Sequence, residues 1–426
     1  MNIGFIGLGK LGLPCALAIE RKGHTVYGWD TSDAVRWNIA NKRVPYQEAG
    51  AQEALNEAKN FHVAYTDDEC EGGIRKVVEK SEIIFVAIQT PHAEFFSGEH
   101  PLEGQQPIDF NYGYLVAGVR EIAEAFKAGR IPPKPVVVIS TVLPGTMRRY
   151  VQPLLKDVAY LVYNPFFIAM GRAMKDFLEP EFVLLGYDNV FGVSRVKQFY
   201  ETIHDRPHYP TTIENAELIK VAYNTFIGMK IAFANTLMEI CHKTPGTNVD
   251  GVSEALSLAT DRLISPAYLR GGMGDGGGCH PRDNLALSWL ARELKLSHDL
   301  FADVMQARED QSAWLADLIV AEHRRTGLPI CILGKAFKPE VNITTGSPAL
   351  LLGHQLSQRG YPFEHYDPFV DGPLKHEPFG PKVCFVATDH AIFQKYVFFP
   401  GSVVIDPFRR ERRGENITYI PVGVGR

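Results

Sequence analysis

The chain reads as α/β: two Rossmann-like doubly wound domains joined by a long central helix and a helical middle region. Three observations predict this. A glycine-patterned βαβ unit opens the chain, apolar residues recur at helical spacing from Asn215 to Leu256, and strand-helix-strand alternation returns after Gly327. The expected divisions are 1–205, 206–318 and 319–426, in keeping with about 100–200 residues per domain.

Residues Asn2–Ile6 are a short apolar strand, Leu11–Lys22 a helical pattern, and Thr25–Trp29 a second strand that ends at Asp30. Between the first strand and the helix, Gly7, Gly9 and Gly12 supply G-x-G-x-x-G, with Leu8, Lys10 and Leu11 in the same turn. Such glycines permit the tight turn, close approach of a pyrophosphate, and close helix-strand packing. An acid at the end of the second strand accepts both ribose hydroxyls and repels a 2′-phosphate, so the pattern predicts NAD rather than NADP.

The alternation continues through Glu82–Ile88 and Pro135–Ile139, which end in Gln89, Thr90 and Pro91 and in Ser140 and Thr141. Ligands of doubly wound sheets lie beyond the carboxyl ends of strands. Either threonine is therefore a cofactor or substrate contact or simply a turn cap. The polar, Gly- and Pro-containing stretch His92–Gln106 reads as a surface flap.

From Asn215 to Leu256 the pattern predicts a helix long enough to span the molecule and link two sheets. Lys220 and Asn224 stand four apart on one face of it. A cation and an amide so placed suit a developing alkoxide; the plain alternative is a solvated surface pair. Beyond it, Pro329–Leu333, Pro348–Arg359, Phe363–Asp367, Val383–Ala387 and Val403–Ile405 rebuild an α/β unit without the glycine pattern. That unit is expected to take something other than a whole dinucleotide, with Lys338 and Arg409 just past strand ends as phosphate holders or ordinary surface cations.

Composition narrows the function. A net charge of −5 and a pI near 6.3 leave no basic footprint for nucleic acid. The start has no leader pattern and no apolar run approaches the roughly 20 residues of a membrane span, so a cytoplasmic protein is expected. The six cysteines contain no C-x-x-C pair, which speaks against a zinc site and a disulfide framework, and no metal is expected. Five of them read as core fillers. Cys279, in GGMGDGGGCHPRD at Gly271–Asp283, stands apart, flanked by bare, flexible, glycine-dense backbone. A thiolate adds to an aldehyde, and the thiohemiacetal is oxidised onward to a thioester that water cleaves to an acid. Nearby Asp283 would position that water or act as base, and Arg282 and Lys220 would favour the thiolate. The alternative is an inert cysteine in a flexible linker.

Together these segments resemble the UDP-glucose/GDP-mannose dehydrogenase family over nearly the whole length. The likeness is carried by GLGKLGLP at Gly7–Pro14, STVLPGT at Ser140–Thr146, NPFFIAMG at Asn164–Gly171, AELIKVAYN at Ala216–Asn224, GDGGGCHPRD at Gly274–Asp283, GKAFKP at Gly334–Pro339 and YDP at Tyr366–Pro368. The resemblance implies NAD-dependent, four-electron oxidation of the C6 hydroxyl of a nucleotide-activated hexose to a uronic acid. It implies Cys279 as nucleophile, Lys220 and Asn224 as oxyanion stabilisers, and Asp283 as water-orienting or base carboxylate. Cofactor contacts would extend to Arg282. Phe167, Ile168, Tyr268, Leu269, Arg270, Phe337, Lys338 and Arg409 would contact the substrate. A homodimer is implied, with Arg262 as the arginine offered to the partner's substrate.

Three departures stand out. Members usually carry a glutamate directly after Asn-Pro in the third of these motifs and another four residues later; here those places are Phe166 and Met170. The arginine expected before the Ser-Pro of the second α/β unit is Thr345. Phe166 and Met170 motivate a second reading, an oxidoreductase making a single or transient oxidation of a nucleotide-linked substrate. The β-hydroxyacid dehydrogenases share the start and the Lys-x-x-x-Asn, but the second α/β unit and Cys279 speak against them. A non-catalytic NAD- or nucleotide-sugar-binding protein is the reading outside enzymes.

Overall fold

A computed structural model describes residues 1–64, 73–99, 106–263, 267–268, 270–373 and 380–424. Leu269, Cys70 and the Arg262 side chain lie outside the described residues. The chain forms two compact units, Met1–Pro91 with Phe110–Ala222, and His92–Asp109 with Tyr223–Arg426.

The first unit is built on an eight-stranded sheet: β1 (Asn2–Ile6), β2 (Thr25–Trp29), β3 (Phe61–Val63), β4 (Ile83–Val86), β5 (Pro135–Val138), β6 (Tyr160–Tyr163), β7 (Val183–Tyr187) and β8 (His208–Thr211), in the order β3-β2-β1-β4-β5-β6-β7-β8. All pairings are parallel except β6 with β7. The β4 and β5 residues are buried on both faces, as strands covered by helices on either side must be. The order places β1 beside β4: the chain winds β1-β2-β3 to one side, crosses back after β3 and continues from β4 to the other, so the glycine turn after β1 lies where the winding switches.

The second unit carries a five-stranded, wholly parallel sheet of β9 (Ile330–Leu333), β10 (Phe363–Tyr366), β11 (Val383–Val386), β12 (Val403–Asp406) and β13 (Thr418–Pro421), ordered β10-β9-β11-β12-β13. Its core joins Ile332, Phe385 and Ile405 to Leu315 and Ile319 of the helix Leu300–Thr326. Cys331 and Cys384 are buried and in register on adjacent strands.

The helix expected over Asn215–Leu256 is two helices, Ile213–Lys243 and Val249–Ser257. Pro245 has no amide hydrogen to continue the ladder, and Gly246 turns left-handed at φ 83°. Asn248 then starts the second helix, its side chain accepting from the Asp250 amide. The stretch from His92 is also no free flap: Phe96 is buried with Leu285 and Met305. Among the described residues no helix is long and apolar enough to cross a membrane.

Candidate active site

In the first unit the glycine turn is held open by its own backbone. Gly7 adopts φ +94°, and a Cβ there would stand 2.5 Å from the Ala87 carbonyl oxygen. A Cβ on Gly12 would stand 2.0 Å from the Gly7 oxygen, so the helix Gly12–Arg21 starts against bare backbone. A Cβ on Gly9 would meet nothing within 4 Å. The turn is thus closed on its protein side at Gly7 and Gly12 and open at Gly9, beside a helix start that has no side-chain cap. That is the shape and polarity a pyrophosphate needs. Asp30 braces it, one oxygen accepting from the Leu8 amide at 2.7 Å and the other from Ser32 at 2.8 Å. Leu8 is buried, Lys10 exposed and Leu11 intermediate.

At the ends of β4 and β5, Thr90 donates to the Thr141 carbonyl at 2.6 Å and Ser140 donates to the Ile88 carbonyl. Both hydroxyls tie the two strand ends together, leaving Gln89 exposed and Pro91 part-exposed on the neighbouring backbone. The loop after Ser140 is gripped by Glu217, wholly buried, whose carboxylate accepts from the amides of Gly145 at 2.6 Å and Met147 at 2.7 Å. Burial pushes the Glu217 carboxyl up to about 7 against the pull of those two amides. One turn along the same helix, Lys220 is buried with Nζ 5.1 Å from the centre of the Phe167 ring, and Phe167 packs on Phe182 at 5.1 Å. Phe166 is half-buried and turned into the core, 5.5 Å from Phe177 and 6.5 Å from Phe85 between ring centres. Ile168 packs against the same core.

In the second unit Cys279 is part-exposed and occupies the N-cap of the helix His280–Glu293, its carbonyl accepting from the Asp283 amide at 2.8 Å. The positive end of the helix dipole favours negative charge beside the sulfur. Asp283 is wholly buried; it accepts from Asn224 Nδ2 at 2.6 Å and from Arg282 Nε at 3.1 Å. The structure thereby brings Cys279, Arg282, Asp283 and Asn224 together.

The glycine run before Cys279 is packed, which corrects the expectation of bare, flexible backbone. A Cβ on Gly277 would stand 2.9 Å from the Phe337 ring, and one on Gly276 2.8 Å from Pro348. Gly346, at φ +68°, comes so close that a Cβ would stand 2.3 Å from the Gly277 oxygen. Glycine here serves close approach between two loops, and places Phe337 against the loop that bears Cys279. Lys338 lies beside it, Nζ 5.5 Å from the Phe337 ring. Thr345 faces Gly278, whose Cβ would stand 3.9 Å from Thr345 Cγ2. Tyr268 and Arg270 are exposed.

Arg409 is a correction. Its side chain is buried and spent inside the protein, paired with Asp250 at 2.8 Å and donating to the carbonyls of Gly271 at 2.8 Å and Val422 at 3.0 Å. It braces loops, so its fork of donors is not presented to a phosphate.

Several residues that position the loop were not singled out in the sequence. Asn235 accepts from the Gly272 amide at 2.9 Å. Arg308, buried, lies 2.9 Å from Asp275 Oδ1 and donates to the carbonyls of Asp275, Gly98 and Gly346 at 3.0, 3.0 and 3.2 Å. Gly228 admits Asp275 and Asn284, since a Cβ on it would stand 3.0 Å from Asp275 Oδ2 and 3.2 Å from Asn284 Nδ2. Asn224, Gly228 and Asn235 recur at near-helical spacing, the one signal in the sequence that a polar seam faces the loop. At the strand ends of the second sheet, Asp367 accepts from the amides of Lys335 at 2.7 Å and Ala336 at 2.9 Å and from His390 at 3.1 Å. Against burial, which pushes it up, these bonds hold the Asp367 carboxyl well below the usual range.

Comparison with known proteins agrees with both halves. Residues 1–204 match the NAD-binding domain of the UDP-glucose/GDP-mannose dehydrogenase family, and residues 214–309 its central domain. The chain is 28% identical over 377 residues to UDP-glucose 6-dehydrogenase TuaD of Bacillus subtilis, covering 87% of this chain and 76% of that protein. It is 28% identical over 386 residues to GDP-mannose 6-dehydrogenase of Pseudomonas aeruginosa, covering 88% and 83%. Its fold matches a UDP-glucose dehydrogenase from the archaeon Pyrobaculum islandicum with a TM-score of 0.85 at 24% identity, over 99% of this chain and 98% of that one.

Proposed function

The chain belongs to the UDP-glucose/GDP-mannose dehydrogenase family, an NAD-dependent oxidoreductase family acting on nucleotide sugars, and on that premise we propose that it oxidises the C6 hydroxyl of a UDP-glucose-like substrate to the carboxylate through Cys279. The observation that carries this reading is Cys279 at a helix start with Asp283 and Asn224 hydrogen-bonded one turn behind it.

The open cradle at Gly9 and the acid at Asp30 fit NAD, held by the backbone of Gly7–Gly12 with Gln89, Thr90, Pro91, Ser140 and Thr141 around it. Bound NAD supplies the hydride acceptor. Lys220, kept in place by the Phe167 ring, and the second Nδ2 hydrogen of Asn224 stabilise the oxygen at C6 as it gains charge. Cys279 Sγ adds to the C6 aldehyde and holds the carbon for the second oxidation, so that the aldehyde does not escape. Phe337 and Lys338 form the substrate side of the second unit.

A single oxidation that stops at the aldehyde is the second reading, and Phe166 favours it, since a ring packed into the core offers no proton acceptor. Measuring NADH formed per sugar with UDP-glucose and GDP-mannose separates the two. Two NADH and a carboxylate are expected. One NADH and an aldehyde would sink the proposal and leave the second reading.

A further inference from the structure

We propose that His280, steered by the buried carboxylate of Asp275, is the general base that activates water to release the acyl group from Cys279. This rests on the thioester route proposed above. Release needs a proton acceptor at the helix start that bears the sulfur, within reach of solvent. Asp283 does not meet that need: it is wholly buried and both its oxygens already accept, from Asn224 and from Arg282. It orients those partners instead.

His280 meets it. The residue directly follows Cys279 as the first of the helix, and its side chain is 19% exposed, so water reaches the ring. Its Nδ1 lies 4.0 Å from Asp275 Oδ2. Nδ1 facing the carboxylate puts Nε2 on the far side of the ring, the arrangement in which a carboxylate supports the imidazolium formed when Nε2 takes a proton. Asp275 is itself fixed in a polar chamber. Arg308 holds it at 2.9 Å, and the missing side chain of Gly228 makes room for its second oxygen. Among the described residues, Asp275 is the charged group set against the ring, with Arg308 paired behind it, and Arg282 and Asp283 follow two and three residues along the helix.

The step balances without any oxidant. Water oxygen bonds to the acyl carbon as His280 Nε2 takes its proton, the carbon-sulfur bond breaks with its electron pair going to Sγ, and the imidazolium returns the proton to sulfur. The products are the carboxylic acid and the free thiol. Asp275 is a positioning residue in this scheme.

The test uses the full chain with NAD and either UDP-glucose or GDP-mannose, rapid quenching and intact mass measurement. For His280→Gln we expect a rapid release of two NADH per site, then a steady rate lower by about 10²–10⁴, the usual worth of general base catalysis, and a Cys279-linked acyl nucleotide that accumulates. His280→Glu should recover part of the rate with no adduct build-up. Asp275→Asn should move the acidic limb of the kcat profile to lower pH with KM unchanged. Unchanged melting and NAD affinity show that the His280 variants are folded; Asp275→Asn, which removes the charge opposite the buried Arg308, should melt lower, and retained NAD affinity with an unchanged circular dichroism spectrum shows that it is folded. A His280→Gln enzyme with wild-type kcat, or a slow one without the adduct, overturns the assignment while the thioester route stands. A wild-type enzyme that forms no NADH, or one NADH and an aldehyde, overturns that route and this step with it, and is seen before any variant is made.

Discussion

Glu217 makes stability depend on pH in a direction opposite to most carboxylates. Its carboxyl is raised from 4.5 to about 7, with burial as the largest cause. The neutral form is therefore the one the fold prefers, and its stabilising contribution is fully present below pH 4.5 and lost progressively as pH rises to about 7. At about 1.36 kcal/mol per pH unit the full loss is of order 3 kcal/mol, of which about 2–3 falls between pH 5 and 8. Glu217→Gln removes the titration. The substitution also sets an NH2 against one of the two amides of Gly145 and Met147, a penalty of about 1–3 kcal/mol that does not vary with pH. The useful quantity is thus the change with pH in the stability difference between wild type and variant. Other groups that titrate in this range, among them His24 and His204, whose burial lowers them, cancel in that difference. Of the four tryptophans, Trp29 and Trp37 lie in the first unit, so urea unfolding followed by fluorescence in a Trp289→Phe, Trp314→Phe background reports on that unit. The expected result is that the wild type loses about 2–3 kcal/mol relative to Glu217→Gln between pH 5 and pH 8. Parallel pH profiles would refute the claim that Glu217 is buried against its charge.

Gly9→Ala should leave the melting temperature nearly unchanged, because its Cβ meets nothing within 4 Å, yet weaken NAD by at least about tenfold, or 1.4 kcal/mol, by occupying the pyrophosphate approach; calorimetric titration that finds equal affinity would remove Gly9 from the cradle. Arg308→Met should destabilise the second unit by about 3–5 kcal/mol, because it strands the Asp275 carboxylate in a buried position. Adding Asp275→Asn should recover part of that loss in urea unfolding read at Trp289 and Trp314, and failure to recover would mean that the carbonyl contacts to Gly98 and Gly346, not the charge pair, carry the effect.

The parts of the fold legible in the sequence are those specified within a few tens of residues. The β1-helix-β2 unit, Asp30 and the strands at Ile330–Leu333 and Val383–Val386 stand where local pattern puts them, because a both-face-buried strand is a plain apolar run. Of the edge strands, β10 at Phe363–Tyr366 was read from the sequence and β3 was not. The three residues of β3, Phe61–Val63, are part-exposed and include His62, so no apolar run marks them. The helix break at Pro245 was present in the sequence and was overrun by the periodicity on either side.

The candidate site divides in the same way, and for an energetic reason. Chemistry-bearing residues such as Cys279 and Asp283 announce themselves by type and local context, whereas Arg308 and Arg409 are single cations on a helix and after a strand, for which a solvated position is the ordinary expectation. What buries them is the set of acceptors that meets each one: Gly98 and Gly346 stand 210 and 38 residues from Arg308, and Asp250 stands 159 from Arg409. A buried guanidinium is tolerated only when its donors are met, so once those loops converge the arginine becomes the residue that fixes them. The same reasoning gives the glycines before Cys279 their role. Their spacing suggests slack in isolation, and only contact with Phe337, Gly346 and Pro348 shows that any side chain at Gly276 or Gly277 would push the loop that bears Cys279 away from the segment it packs against. Mobility inferred from glycine content was therefore wrong in sign: the run is glycine-rich because it is tightly packed, and Cys279 sits at the end of a backbone with little room to move.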